Sequence, residues 1–436
     1  MSTPTTKIAF HTMGCKTNFS DTSTISNEML SHGYQKVSYK EEADIYVLNT
    51  CSVTENADKE ARKLIRQARR RNPYAKIAVI GCYAQLQPDQ ISNIAGVDLV
   101  LGASEKFNLL THLNSLNDNN KSKIVRLPIN QNNSFQSSFT NGERTRSYLK
   151  IQDGCNYNCS FCTIPLARGR SRSDTIENTV KIAQNIADSG AKEIVLTGIN
   201  IGDFGSESNE SFYDLIVNLD KIKGIERFRI SSIEPNLLSN DIINLIADSK
   251  TIVPHFHIPL QSGSDTILKL MRRRYLTKNY SNLIKTIKNK MPHACIGADV
   301  MVGFPGETID LFNETVDFIK SLEISYLHVF SYSERQNTTA INFKNIVPIK
   351  ERKIRSKILR NLSNKKKNLF YINNLNSIRP ALIEKNNKNN YLYGFTDNYI
   401  KVEIPYDHNL ENNIINIDIK KINGNGFVNG NVINNI

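Results

Sequence analysis

Apolar and polar positions along the chain alternate between two spacings. Residues 7–15, 44–51 and 76–82 read as short strands, while 21–32 and 56–71 carry apolar positions at helical spacing. In the second of these helices Ala61, Leu64, Ile65 and Ala68 form the stripe, and Asn72 followed by Pro73 stops it. Strand–helix–strand alternation implies a parallel sheet with right-handed crossovers. From about 103 to 145 the periodicity is lost among Asn, Ser and Gln, which predicts a linker or long excursion. Alternation resumes with a strand over 148–152. A helix follows, opened by Asp174 and Glu177 and stopped at Gly190, with Ile176, Val180, Ala183 and Ala187 on one face. Strands over 193–200, 227–234, 255–261, 296–302 and 326–332 make six β/α units in all. Near the C-terminal end, 381–384, 391–395, 399–404, 415–422 and 427–433 are short strands separated by polar turns, the pattern of a small OB-like barrel. The expected fold class is α/β. An N-terminal parallel domain spans 5–118, a partial (β/α)6 barrel 141–370, and a small β-barrel 371–436.

The cysteines change the picture most. Seven is an odd number, which argues against a disulfide framework. Each of the first three strands ends in one of them: Cys15, Cys51 and Cys82. In a parallel sheet those ends share the carboxyl edge, where open α/β sheets bind ligands. Three thiolates without an evident fourth partner suit a cubane cluster with one iron left open. Zinc is the lesser option, because a structural zinc normally takes four protein ligands. A second triplet, Cys155, Cys159 and Cys162, follows the strand over 148–152 on one short loop with CxxxCxxC spacing. Cys295, alone at a strand start, reads as core. His255 and His257 alternate with Phe256 and Ile258 on a strand, a pattern more often structural than ligating.

Charge points to a polyanion. The chain carries a formal net charge of +13 and a pI near 9.2, which favours RNA as a partner through steering and counterion release. Arg62, Arg66 and Arg69 form a row along the 56–71 helix, joined by Lys59, Lys63, Arg70 and Arg71. Other basic stretches lie at 144–172, 272–274 and 350–367. Residues 371–436 carry six basic and six acidic residues and are neutral. Tyr391, Tyr393, Phe395 and Tyr399 on that segment offer base-stacking faces or core packing. No apolar run approaches the length that crosses a bilayer, and the first ten residues carry no apolar signal core, so a cytoplasmic location without membrane attachment is expected.

The CxxxCxxC loop resembles that of the radical S-adenosylmethionine superfamily. The chain as a whole resembles the methylthiotransferase family, with its N-terminal three-cysteine domain, radical core and C-terminal TRAM domain. That resemblance implies two [4Fe–4S] clusters. Cys155, Cys159 and Cys162 would hold the one whose open iron chelates S-adenosylmethionine, and whose reduction cleaves that cofactor to a 5′-deoxyadenosyl radical. Cys15, Cys51 and Cys82 would hold the auxiliary one, from which the methylthio group is delivered. The radical chemistry is then borne by the cofactor, with no catalytic side chain assigned. Barrel chemistry sits at the carboxyl ends of strands, which here makes Thr197, Gly198, Asn200, Glu234 and Gln261 the candidate cofactor pocket. The implied partners are tRNA, with Arg62, Arg66 and Arg69 as candidate contacts, and an electron donor such as flavodoxin or ferredoxin.

Local signatures around the cysteines (Gly14-Cys15-Lys16, Asn49 to Asp58, and Gly81-Cys82-Tyr83) are similar to the branch acting on N6-threonylcarbamoyladenosine at position 37 of tRNA. Lys150 to Cys155 and Ile164 to Arg170 point the same way. Alternatives are methylthiolation of isopentenyladenosine tRNA or of a ribosomal protein, and, in another class, a non-catalytic iron–sulfur protein that binds RNA or transfers electrons. One departure stands out: where the family commonly has Arg-x-Gly-Thr, this chain has Arg335, Gln336, Asn337 and Thr338. Asn tolerates left-handed backbone, so the turn is expected to survive.

Overall fold

A computed structural model describes residues 5–52, 54–116, 122–140, 145–385, 390–424 and 426–433. Val53 and Arg144, both within segments singled out above, fall outside them. The chain forms two compact units. One comprises residues 1–140, 148–174 and 333–341, and the other 141–147, 175–332 and 342–436.

The first unit is built on six parallel strands: β1 (Lys7–Thr12), β2 (Gln35–Val37), β3 (Ile45–Thr50), β4 (Lys76–Gly81), β5 (Leu99–Leu101) and β6 (Lys123–Val125). They are ordered β2-β1-β3-β4-β5-β6. β6 corrects the expectation of a structureless 103–145. It pairs with β5 across Leu99–Lys123 and Leu101–Val125, and a helix at Leu109–Asn114 precedes it. Helix α1 (Lys16–Ser31) starts five residues earlier than its apolar spacing suggests, because its buried face is polar. Thr17, Asn18, Ser20, Asp21, Thr22, Ser23 and Ser26 are all buried. Helix α2 (Glu55–Arg71) follows the expected stripe. Thr54 caps it by accepting from the Ala57 N–H, Glu55 and Asp58 lie in its first turn, and Arg69, Arg70 and Arg71 complement the dipole in its last. Helix α3 (Cys82–Leu86) begins directly after β4.

The second unit carries the repeated β/α segments. Glu193–Thr197 pairs in parallel with Arg227–Ile230, and His255–His257, Cys295–Val302 and Tyr326–Ser331 form a second parallel set. Single bridges at Phe228–Ile252 and Ser232–His257 join the two sets. Ser or Thr caps open four of the helices interleaved with these strands, at Thr175, Ser211, Ser239 and Thr308. Thr175, not Asp174, caps the first, since Asp174 instead accepts from the Ser137 hydroxyl. Five strands close into a barrel in the order Ile378–Ile383, Tyr391–Thr396, Lys401–Pro405, Val428–Val432, Ile414–Ile422. Its core includes Ala381, Leu392, Val402, Ile417 and Val428. Phe370 and Tyr371 from the preceding long helix (Ile349–Ile372) complete it, together with Cys295. Cys295 is therefore core, as its position suggested, and burial pushes its thiol up to about 12.

Candidate iron–sulfur centres

Strand register brings the first three cysteines to one edge. Thr12 pairs with Asn49, and Thr50 with Gly81. Cys51 and Cys82 follow these level positions directly, and Cys15 follows after the turn at Met13 and Gly14. The turn is tight enough to require glycine: Gly14 has φ +89, and a Cβ there would stand 2.6 Å from Cys51 Cβ and 2.9 Å from its Sγ. The Asn18 amide donates to the Met13 carbonyl at 2.9 Å and to the Thr50 carbonyl at 3.1 Å, tying together the loops that carry Cys15 and Cys51. Cys15 is exposed, Cys51 intermediate and Cys82 buried. Burial pushes the Cys82 thiol up, and the Arg168 charge opposes it.

The second triplet lies in the same unit. Its loop is closed by Cys155 N–H donating to the Gly169 carbonyl at 3.0 Å, and by Cys162 N–H donating to the Cys159 carbonyl at 3.1 Å. Gly154 is obligatory, because a Cβ there would meet the Arg170 carbonyl oxygen at 1.8 Å. Two backbone N–H groups aim at sulfur: Tyr157 N–H at Cys155 Sγ and Ile164 N–H at Cys162 Sγ, each at 3.4 Å. Such donors favour the thiolate form. The residues next to Cys51 and Cys162, namely Ser52 and Thr163, line one cavity of about 100 Å³ together with Asp58 and Arg335. Arg335 donates to the Asp58 carboxylate at 2.7 Å and to the Ser52 hydroxyl at 2.6 Å. Asn337 has φ +63, so the Asn-for-Gly departure does keep the left-handed turn.

Both triplets fit clusters better than single ions. A tetrahedral zinc with bonds near 2.3 Å needs sulfurs about 3.8 Å apart. Among the described residues, the one group of three donors lying within 4.8 Å of one another is His257, Asp299 and His328, in the other unit; neither cysteine triplet is as tight. Wider-set thiolates suit a cubane, and the second triplet adds N–H donors to its sulfurs.

Between the triplets lies a buried ion network that the sequence pattern did not reveal. Asp21 pairs with Lys106 at 2.5 Å and Lys150 at 2.6 Å, and Asp153 pairs with Arg168 at 2.8 Å and Arg172 at 3.6 Å. Burial drives the Asp21 carboxyl up, but Lys106, Lys150 and Arg168 outweigh it and hold the group at about 2. Arg168 also donates to the Asn18 side-chain oxygen at 2.5 Å. Of these residues, Lys150, Asp153 and Arg168 stand in recognisable motifs, while Asp21 and Lys106 give no sequence signal.

The candidate cofactor-pocket residues all lie in the second unit. Thr197 ends its strand, and Thr197 and Asn200 are buried. Glu234 is held by Arg273, and Gln261 takes φ +66 with its N–H on the Asp299 carbonyl at 2.7 Å. His255 proves structural, stacked on Tyr399 and 3.1 Å from the Tyr326 hydroxyl. His257 does more than pack: its Nε2 meets Asp299 at 2.9 Å, and His328 Nδ1 meets the same oxygen at 3.3 Å. Burial raises the Asp299 carboxyl, and the two imidazoles outweigh it, holding it well below the ordinary range.

The arginine row divides. Arg66 is exposed, Arg62 donates to the Tyr83 hydroxyl at 2.9 Å, and Arg69 is committed to Asp98 at 3.1 Å and to the Gly96 carbonyl. On the small barrel, Phe395 and Tyr399 are stacked on each other and Tyr393 packs on Phe427, which leaves Tyr391 as the exposed ring of the four.

Residues 7–102 match the uncharacterized protein family UPF0004, and residues 149–319 match the radical SAM superfamily. The threonylcarbamoyladenosine tRNA methylthiotransferase MtaB of Aquifex aeolicus is 39% identical over 400 residues, covering 91% of this chain and 96% of that protein. Its counterpart in Bacillus subtilis is 39% identical over 425 residues, covering 95% and 94%. The tRNA-2-methylthio-N(6)-dimethylallyladenosine synthase of Endomicrobium trichonymphae is 33% identical over 424 residues, covering 94% and 96%. Among solved structures, the radical S-adenosylmethionine methyltransferase TsrM of Kitasatospora setae, with cobalamin and a [4Fe–4S] cluster bound, superposes with a TM-score of 0.56. It covers 77% of each chain at 14% identity, a likeness of fold alone. The chain belongs to the radical S-adenosylmethionine methylthiotransferase family, enzymes that work with S-adenosylmethionine and two [4Fe–4S] clusters.

Proposed function

We propose that this enzyme places a methylthio group on carbon 2 of N6-threonylcarbamoyladenosine at position 37 of tRNA, beside the anticodon. The observation that carries the reading is the convergence of two cysteine triplets in one unit, with Ser52 and Thr163 lining one polar cavity. Cys15, Cys51 and Cys82 would hold the auxiliary cluster, and Cys155, Cys159 and Cys162 the one that engages S-adenosylmethionine. When bound, these groups supply the radical and the sulfur chemistry. The chain's own contribution is placement. Asn18 fixes two ligand loops, Arg335 and Asp58 wall the cavity, and backbone N–H groups steady the thiolates. Thr197, Gly198, Asn200, Glu234 and Gln261, at or after strand ends, are the residues we assign to the cofactor pocket.

The substrate rests on the Lys16, Thr54 and Tyr83 signatures and on the names of the 39%-identical relatives. We read three functional divisions, 5–118, 141–370 and 371–436, and a one-electron donor of the flavodoxin or ferredoxin type. Among the described residues no helix is long and apolar enough to cross a membrane, and we place the enzyme in the cytoplasm. Of the arginine row, exposed Arg66 is the phosphate contact best supported, with Lys63 and Arg70 beside it; Arg62 and Arg69 face protein partners. Nucleoside mass spectrometry of tRNA from cells lacking the gene tests the substrate. Threonylcarbamoyladenosine without its methylthio group should accumulate. Unchanged methylthio-threonylcarbamoyladenosine, with loss of the isopentenyl counterpart, would move the enzyme to the other branch.

A further inference from the structure

Arg168 follows the second triplet by six residues yet reaches the supports of the first. Its helix (Ile164–Arg168) packs against α3, which starts at Cys82. One Nη holds Asp153, whose carboxylate also accepts from the Gly154 N–H at 2.8 Å and so fixes the entry to the Cys155 loop. The other Nη holds Asn18, the amide that ties the Cys15 and Cys51 loops. The residue is 2% exposed, and its Nε has no hydrogen-bond partner in the protein. A buried guanidinium N–H without an acceptor is costly unless something else accepts from it. Around it the four buried cations Lys106, Lys150, Arg168 and Arg172 face two buried carboxylates, Asp21 and Asp153. Positive charge is therefore in excess in the network that Arg168 belongs to.

We propose that Arg168 is a positioning residue of the reaction: it donates from its guanidinium to the sulfur shell of the cluster at Cys15, Cys51 and Cys82, and its charge sets how readily that cluster is reduced. A hydrogen bond to a ligand sulfur and a nearby cation both favour the more negative, reduced state, since cluster potential follows net charge and donors to sulfur. The unpartnered Nε of Arg168, on the helix that packs against the one starting at Cys82, is the donor left for that shell. The proposal rests on the two-cluster assignment above.

The test is a redox titration of reconstituted holoenzyme followed by electron paramagnetic resonance, with S-adenosylmethionine added to mark the signal of the cluster it chelates. In Arg168→Met the reduced-to-oxidised ratio of the unmarked cluster, read at its wild-type midpoint, should fall at least tenfold. That is a one-electron shift of about 59 mV to more negative potential. The marked cluster should stay within twofold. Arg168→Lys keeps the charge but not the fork, and should shift the same cluster at least threefold; it decides the matter if the Met variant loses its iron. No shift, or equal shifts of both clusters, overturns the role of Arg168. A wild-type enzyme with one cluster's signal would instead overturn the two-cluster assignment.

Discussion

The buried pair of Glu193 and Arg229 gives a stability prediction that can be worked from two directions. Glu193 opens a parallel strand and is wholly buried; Arg229 on the neighbouring strand meets it with Nε at 2.8 Å and Nη2 at 3.1 Å. Arg229 also donates to the Asp397 carbonyl at 3.1 Å, so the ion pair anchors the small barrel to the β/α segment within one unit. Burial raises the Glu193 carboxyl, but Arg229 outweighs it and holds the group at about 2 against an ordinary 4.5. That gap is worth about 3.4 kcal/mol at neutral pH. Removing one member of a buried pair independently costs about 3–5 kcal/mol, because the other is left buried and unpaired. Glu193→Gln should therefore destabilise the second unit by about 3 kcal/mol. A depressed carboxyl stabilises above its unfolded value and loses that contribution as pH falls toward its folded value. The difference between wild type and variant should thus shrink by roughly 1.4 kcal/mol between pH 6 and pH 3.5. Since the chain has no tryptophan, hydrogen exchange on peptides covering 193–197 and 227–230 is the suitable assay. A loss below about 1 kcal/mol, or one that does not change with pH, would refute the reasoning.

Three further outcomes follow from particular placements. Replacing Lys63, Arg66 and Arg70 together by Gln should flatten the slope of tRNA affinity against salt, on logarithmic axes, by about 0.9 for each phosphate these side chains neutralise, measured by binding over a salt series. Arg69→Gln should leave that slope unchanged and lower thermal stability instead, since Arg69 is spent on Asp98 and Gly96. The Cys295 thiol, buried and pushed up to about 12, should resist iodoacetamide at pH 8 in the folded protein and react on denaturation, as mass spectrometry of alkylated peptides would show.

What the sequence made legible was whatever apolar spacing or cysteine spacing encodes. β1, β3 and β4 are core strands whose ends carry cysteines, and α2 has one clean apolar face, so both were readable. The start of α1 was hidden because its inward face is Thr, Asn, Ser and Asp, with Asn18 and Thr22 hydrogen-bonded and Asp21 paired with Lys106 and Lys150. β6 was hidden because three residues set among polar ones gain strand character only by pairing with β5. The same limit applies to the site. Cysteine positions announce themselves, but the partnership of Arg168 with Asn18, or of His257 with Asp299, joins residues far apart in the chain and has no periodic trace. Arg62 and Arg69 looked like Arg66 in a helical projection, and Tyr83 and Asp98 separate them.

The central claim, that two cysteine triplets of one unit hold two clusters with different duties, is met most directly by paired substitution. Iron and sulfide per chain, 5′-deoxyadenosine yield and methylthiolated product would be measured for the wild type and both triple variants. Cys155, Cys159 and Cys162 replaced by Ala should leave one cluster's worth of iron and abolish cofactor cleavage. Cys15, Cys51 and Cys82 replaced by Ala should also leave one cluster, keep 5′-deoxyadenosine formation measurable and end methylthio transfer. A wild-type enzyme with iron for only one cluster, or product formed without the first triplet, would contradict the account.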